Sequence, residues 1–190
     1  MKTENSDSLI KLALVIINSS VTCAEHFKKT IGEKYGIDSD SATEHWLSVI
    51  HEYIFFFLHM TNRMAYDEMG EEKRAQLQDE LYPIVQYTTI ETLFRSSPNE
   101  MKKKLQIEFY ENLNRAEMDY GECKELFSKE KPFTSNSLFS NLARHVTELT
   151  GYSNNPEVFT QCIEISAKVF SEMNLRELII AQGNFVKTVK

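Results

Sequence analysis

The stretch HWLSVIHEYIFFFLHMTNRMAYDEMG, His45 to Gly70, decides the fold. It holds the chain's single Trp, three of its five His, and the run Phe55-Phe56-Phe57. Read as a helix turning about 100° per residue, it places Leu47, Ile50, Ile54, Phe57, Leu58, Met64 and Ala65 on one side. Measured from His45, Glu52 then lies at about −20°, His59 at about −40° and Arg63 back near 0°. Ser48 and Asp67 flank them, Phe56 sits inside this polar stripe, and Phe55 is on its edge. A helix apolar over most of its circumference belongs in the centre of a fold. Its stripe is then partly buried, and buried charges need partners.

Three readings of the stripe follow. It is a solvated face with Arg63 and Asp67 paired one turn apart; or a buried network in which Glu52 and Arg63 meet partners on other helices; or the wall of a polar pocket, with Glu52, His59 and Arg63 as ligand-binding residues.

Outward from this helix the same period recurs. Leu9, Ala13, Ile16, Ile17, Ser20, Ala24 and Phe27 fall on one face at spacings of three and four, predicting a first helix from about Asp7 to Tyr35, ended by Gly36. Ser41 and Glu44 form a capping box for the second helix, and Gly70 is placed to close it. A third helix starts at Glu71-Glu72, with Pro83 expected to kink or break it. Ser97, Pro98 and Glu100 mark the start of a fourth helix that could reach Phe127, with Gly121 a weak point late in it. Within it Phe109, Tyr110 and Tyr120, with Leu105, Leu113 and Met118, have core spacing. A polar loop precedes a shorter fifth helix, Ser137 to Thr150, ended by Gly151. Asn155 caps the sixth, which carries Val158, Cys162, Ile165, Val169 and Met173 on one face and should end near Gly183, with a frayed tail from about 184.

With 6 Gly and 4 Pro in 190 residues, turns are few and elements long. The expectation is an all-α, single-domain bundle spanning residues 1–190, with about six helices, four of them long. No repeat, low-complexity tract or interdomain linker divides it.

The net charge is −7 and the longest basic run is Lys102-Lys103-Lys104, which argues against nucleic acid as a partner. Cys23, Cys123 and Cys162 are odd in number and form no CxxC, as expected of small buried hydrophobes in a reducing compartment. The N-terminal apolar stretch carries Glu4 and Asp7 where a leader needs positive charge, Lys11 interrupts it, and no run approaches the ~18 residues of a spanning helix. The localisation expected is cytoplasmic, without a membrane partner.

Catalytic and cofactor motifs are missing. There is no Gly-rich phosphate loop, no GxSxG, no HExxH and no pair of ExxH motifs of the di-iron kind. Glu108 and Glu111, with Arg115 one turn on, read as a solvated face. Two pairs at i,i+3, Cys23 with His26 and His145 with Glu148, would make a four-ligand metal site if they converged. No other cofactor is implied.

The segment FFFLHMTNRMAYDEMGEEKRAQLQDEL resembles uncharacterised bacterial all-helical proteins with the pattern FxLHxxxRxA followed by GxxxR. NRAEMDYGECKELF and SLFSNLARHV look similar in kind. The resemblance implies a bacterial source and a role for His59 and Arg63, and carries no activity. What the residues favour is a non-catalytic interaction module that binds itself or another protein. The alternative is a small-molecule binder or enzyme with its pocket at the stripe of the second helix.

Overall fold

The structure is a computed structural model that describes residues 2–35, 43–127 and 136–185. It is an all-α helical bundle. The described residues form seven helices: α1 (Lys2–Tyr35), α2 (Thr43–Met69), α3 (Glu71–Leu93), α4 (Asn99–Gly121), α5 (Leu138–Leu149), α6 (Pro156–Glu172) and α7 (Leu175–Phe185). The first four are the long ones, as the spacing of turn residues implies. The capping box at Ser41, the stop at Gly36 and the tail beyond 185 lie outside the described residues.

Local signals act where backbone chemistry is strict. Gly70 alone links α2 to α3; its φ of 79° and ψ of 174° form an extended, positive-φ backbone that is essentially reserved for glycine. Its amide closes on the Tyr66 carbonyl at 2.9 Å. Gly151, also at positive φ (78°), ends α5. The Asn155 side chain accepts from the amides of Glu157 (3.1 Å) and Val158 (3.2 Å), capping α6 as expected.

One point left open by the sequence is decided at Pro83, and three helix boundaries depart from the sequence reading. Pro83 does not break α3, which runs through it from Glu71 to Leu93; only the Asp79 carbonyl loses its helical donor. Helix α4 starts at Asn99, one residue late, and stops at Gly121 rather than Phe127. Beyond it, the Leu138 amide donates to the Glu125 carbonyl at 2.9 Å, a β-bridge-like contact that holds the strand-like 125–126 segment beside the start of α5. The sixth predicted helix is two: Asn174 takes a left-handed φ of 49°, which Asn tolerates through its short polar side chain, and α7 begins after it.

The chain groups into two compact units. The first comprises 1–18, 57–115 and 173–190; the second comprises 19–56 and 116–172. In the first, α7 is tied to α1 by Ser8 Oγ donating to Gln182 (2.9 Å) and to α2 by Arg176 with Glu68 (2.6 Å). There α3 and α4 are joined by Gln86 donating to the Gln106 carbonyl (2.8 Å) and by the Lys102–Glu91 ion pair (2.9 Å). In the second, α5 packs on α6, and Phe139 of α5 is ringed by Phe56, Phe127 and Phe170.

Every residue from Tyr53 to Thr61 of α2 is buried, so this helix is as central as its composition requires. Helix α1 is less simple. Leu12, Ala13, Ile16, Ile17, Cys23 and Phe27 are buried, whereas Ile10 and Leu14, one turn apart, are each 42% exposed. An 18-residue window within Asp7–Gly32 has a mean hydropathy of 1.4, so by length and composition this helix is apolar enough to cross a membrane even though Lys11 interrupts its apolar run. Its buried inner face is that of a core helix.

Gly70→Ala should cost about 1–3 kcal/mol, the penalty of holding a residue with Cβ in a backbone region that is essentially glycine's alone. No atom lies close enough to clash with the added methyl, so the loss is purely conformational. Urea unfolding should show a lower midpoint with an unchanged slope.

Candidate functional site

Helix α2 carries Glu52 to a buried junction within the second unit. One carboxylate oxygen, Oε1, accepts two hydrogen bonds: from the Tyr120 hydroxyl of α4 at 2.5 Å and from Nδ1 of His145 of α5 at 2.8 Å. The Tyr120 ring packs between Phe56 (5.5 Å, edge-on) and His145 (5.6 Å). Tyr120 is fully buried, Glu52 keeps 15% of its side chain exposed, and His145 keeps 24%. Asp119 and Cys123 border the junction: the Asn141 amide of α5 donates to the Asp119 carbonyl (3.2 Å) and contacts Cys123 Sγ (3.4 Å), while Arg144 donates to Asn141.

The protonation states follow from these surroundings. Burial pushes the Tyr120 hydroxyl well above its ordinary value, and the Glu52 charge and hydrogen bond add to it, so Tyr120 stays a donor. Burial opposes a charge on His145, but the bond to Glu52 and the charges of Glu52, Asp119 and Glu148 outweigh it and raise its pKa. His51 goes the other way: burial lowers it to about 4. Burial also pushes up the Cys23 and Cys162 thiols. Both are fully buried, and Cys162 contacts the Tyr53 hydroxyl at 3.4 Å, so these sulfurs are neutral core groups rather than nucleophiles.

Of the three predicted ligand-binding residues, Glu52 falls in the second unit and His59 and Arg63 in the first. Glu52 belongs to the junction just described. His59 is buried, 4% exposed. Arg63 lines a cleft of about 390 Å³ in the first unit, together with Asn62, Tyr66, Asp67, Glu71 and Arg74. Arg74 is fixed there by Glu71, Asn62 (2.8 Å) and Gln78 (2.9 Å). Of the three readings of the stripe, the buried network describes Glu52 and the polar cleft describes Arg63. Asp67 is exposed and Arg63 half-buried, so the solvated-face reading also stands at this end of the stripe.

The proposed metal ligands Cys23, His26, His145 and Glu148 are not assembled. Among the described residues no three His, Cys, Asp or Glu side chains gather in a group that could hold an ion. Cys23 is buried while His26 is exposed, so that i,i+3 pair splits between the inside and the outside of its helix, and Glu148 is exposed beside the half-buried His145. His145 is instead committed to Glu52.

Tyr120 and His145 are the residues that sequence reasoning missed as partners of Glu52. They lie 68 and 93 residues from it, and no local pattern encodes such a pairing. The chain matches no protein-family model, no curated protein and no solved structure.

Tyr120→Phe keeps the ring but removes a buried donor to a carboxylate, and should cost about 2 kcal/mol in urea unfolding. His51 binds a proton in the unfolded chain near pH 6.5 but in the folded chain only near pH 4. Stability should therefore fall as pH drops through that window, by roughly 3 kcal/mol at ~1.4 kcal/mol per tenfold difference in proton affinity. His51→Phe should flatten that part of the pH–stability curve.

Proposed function

We propose that this protein is a non-catalytic helical interaction module that associates with a second copy of itself through the outer face of α1. The observation that carries this reading is the apolar character of α1 on both sides. From Leu9 to Ile17 only Lys11 is polar. The inner face fills the core, yet Ile10 and Leu14 remain 42% exposed on the other. A helix apolar all round is normally covered all round, and a second helix of the same kind supplies matching apolar knobs one turn apart. The absence of any phosphate loop, nucleophile motif or assembled metal-ligand set among the described residues supports binding over chemistry. A cytoplasmic setting and a bacterial source belong to this same proposal.

A second reading has its own observation. The cleft lined by Arg63, Asp67, Glu71 and Arg74 offers both charge signs in about 390 Å³, which suits a small polar ligand and would make this a small-molecule binder.

Native mass spectrometry separates the two. A self-associating module gives a multiple of 22.1 kDa, and Ile10→Glu with Leu14→Glu collapses it to a single chain that keeps its helical circular dichroism. A binder gives a reproducible small excess mass that Arg63→Ala removes. A wild-type chain that stays single at tens of micromolar and carries no excess mass defeats both.

A further inference from the structure

Three helices meet on one oxygen atom. Glu52 of α2 holds Tyr120 of α4 at 2.5 Å and His145 of α5 at 2.8 Å through the same Oε1. The three partners differ in how they reach water. Tyr120 is fully buried and its hydroxyl has no solvent to turn to if Glu52 withdraws. His145 keeps 24% of its side chain exposed, so its imidazole exchanges protons with solvent while Nδ1 stays on Glu52. The charges acting on that ring are Glu52 from α2, Asp119 from α4 and Glu148 from α5 itself. The nearest cation in sequence, Arg144, is drawn to Asn141. With the imidazole charged, its positive charge is held by three carboxylates. Without its proton the carboxylates repel one another around a partly buried Glu52, and the Glu52–His145 contact falls from a charge-assisted bond to a neutral one.

We propose that the Glu52–Tyr120–His145 junction is a proton-operated latch: the imidazolium clamps α5 to α2 and α4, and its loss of a proton loosens α5.

The direction follows from the surroundings. Burial disfavours the charge on His145, but Glu52, Asp119 and Glu148 more than offset this, so the ring holds its proton above the ordinary histidine value of 6.5. A group whose folded pKa is raised contributes its full stabilisation below 6.5 and loses it as pH climbs through the folded value. The latch is therefore closed under acid conditions and opens on the alkaline side. His51, whose pKa is lowered to about 4, stays neutral throughout this window and adds nothing to the change.

The test is amide hydrogen exchange of the full chain at pH 6.0 and pH 8.5, corrected for the intrinsic pH dependence of exchange, reading α5 (138–149) against α3 (71–93). Protection of α5 should fall roughly fivefold to tenfold at the higher pH while α3 holds, a change of the size expected for a charge-assisted hydrogen bond. His145→Gln, which keeps a donor but not the charge, should sit at the alkaline level at both pH values. Glu52→Gln should abolish the pH dependence as well. Equal protection of α5 at the two pH values in the wild-type chain overturns the latch, and so does a pH dependence that survives in His145→Gln. Should the variants not fold, an NMR titration of the wild-type His145 ring decides: a midpoint above 6.5 that moves with the α5 amide signals supports the latch, and a midpoint at or below 6.5 overturns it.

Discussion

A carboxylate beside the longest buried run of the chain's described residues is the constraint around which the second unit is arranged. Helix α2 is buried without interruption from Tyr53 to Thr61, and Glu52 stands at the edge of that run. Removing a charge from water costs several kcal/mol unless partners replace the solvent. Tyr120 and His145 are those partners, and they fix how the end of α4 and the middle of α5 lie against α2. The aromatic packing of Phe56 against Tyr120 and Phe139 fills the space around the polar contact. It adds bulk burial, whereas the hydrogen bonds to Glu52 add register, because only one rotation of each helix satisfies them.

The long helices α1, α2 and α4 each contribute residues to both units, whereas α6 and α7 are divided between them at Glu172 and Met173. That division coincides with Asn174, the one non-glycine residue with positive φ among those described. A single left-handed residue is sufficient to redirect the chain, since it cannot continue a right-handed helix. The helical spacing of the apolar residues from Val158 to Ile180 hides this, because the periodicity on either side of the break is intact.

Much of the architecture was legible from local chemistry. The glycines at 70 and 151 and the Asn155-Pro156 pair act through their own backbone preferences, and their effects reach only a turn away. Pro83 illustrates the limit. Its missing donor and ring clash weaken a helix, but burial of Leu77, Leu81, Val85 and Ile90 along α3 keeps it continuous, since tertiary burial outweighs a local penalty of a few kcal/mol. Cys23 and His26 fail as a pair for a related reason. Residues three apart on a helix are near neighbours, yet the line between inside and outside can pass between them, and only packing places it.

The sequence by itself determined the helical class, the four long elements, the sites of several turns and the central place of α2, because periodicity and backbone preference are properties of short windows. The tertiary structure alone decided that Glu52, His59 and Arg63 go to three different surroundings and that Glu52 finds His145 and Tyr120. Those outcomes depend on contacts 68 and 93 residues apart, and the energy that selects them, the cost of leaving a buried charge unpaired, exists only once the chain has closed around it.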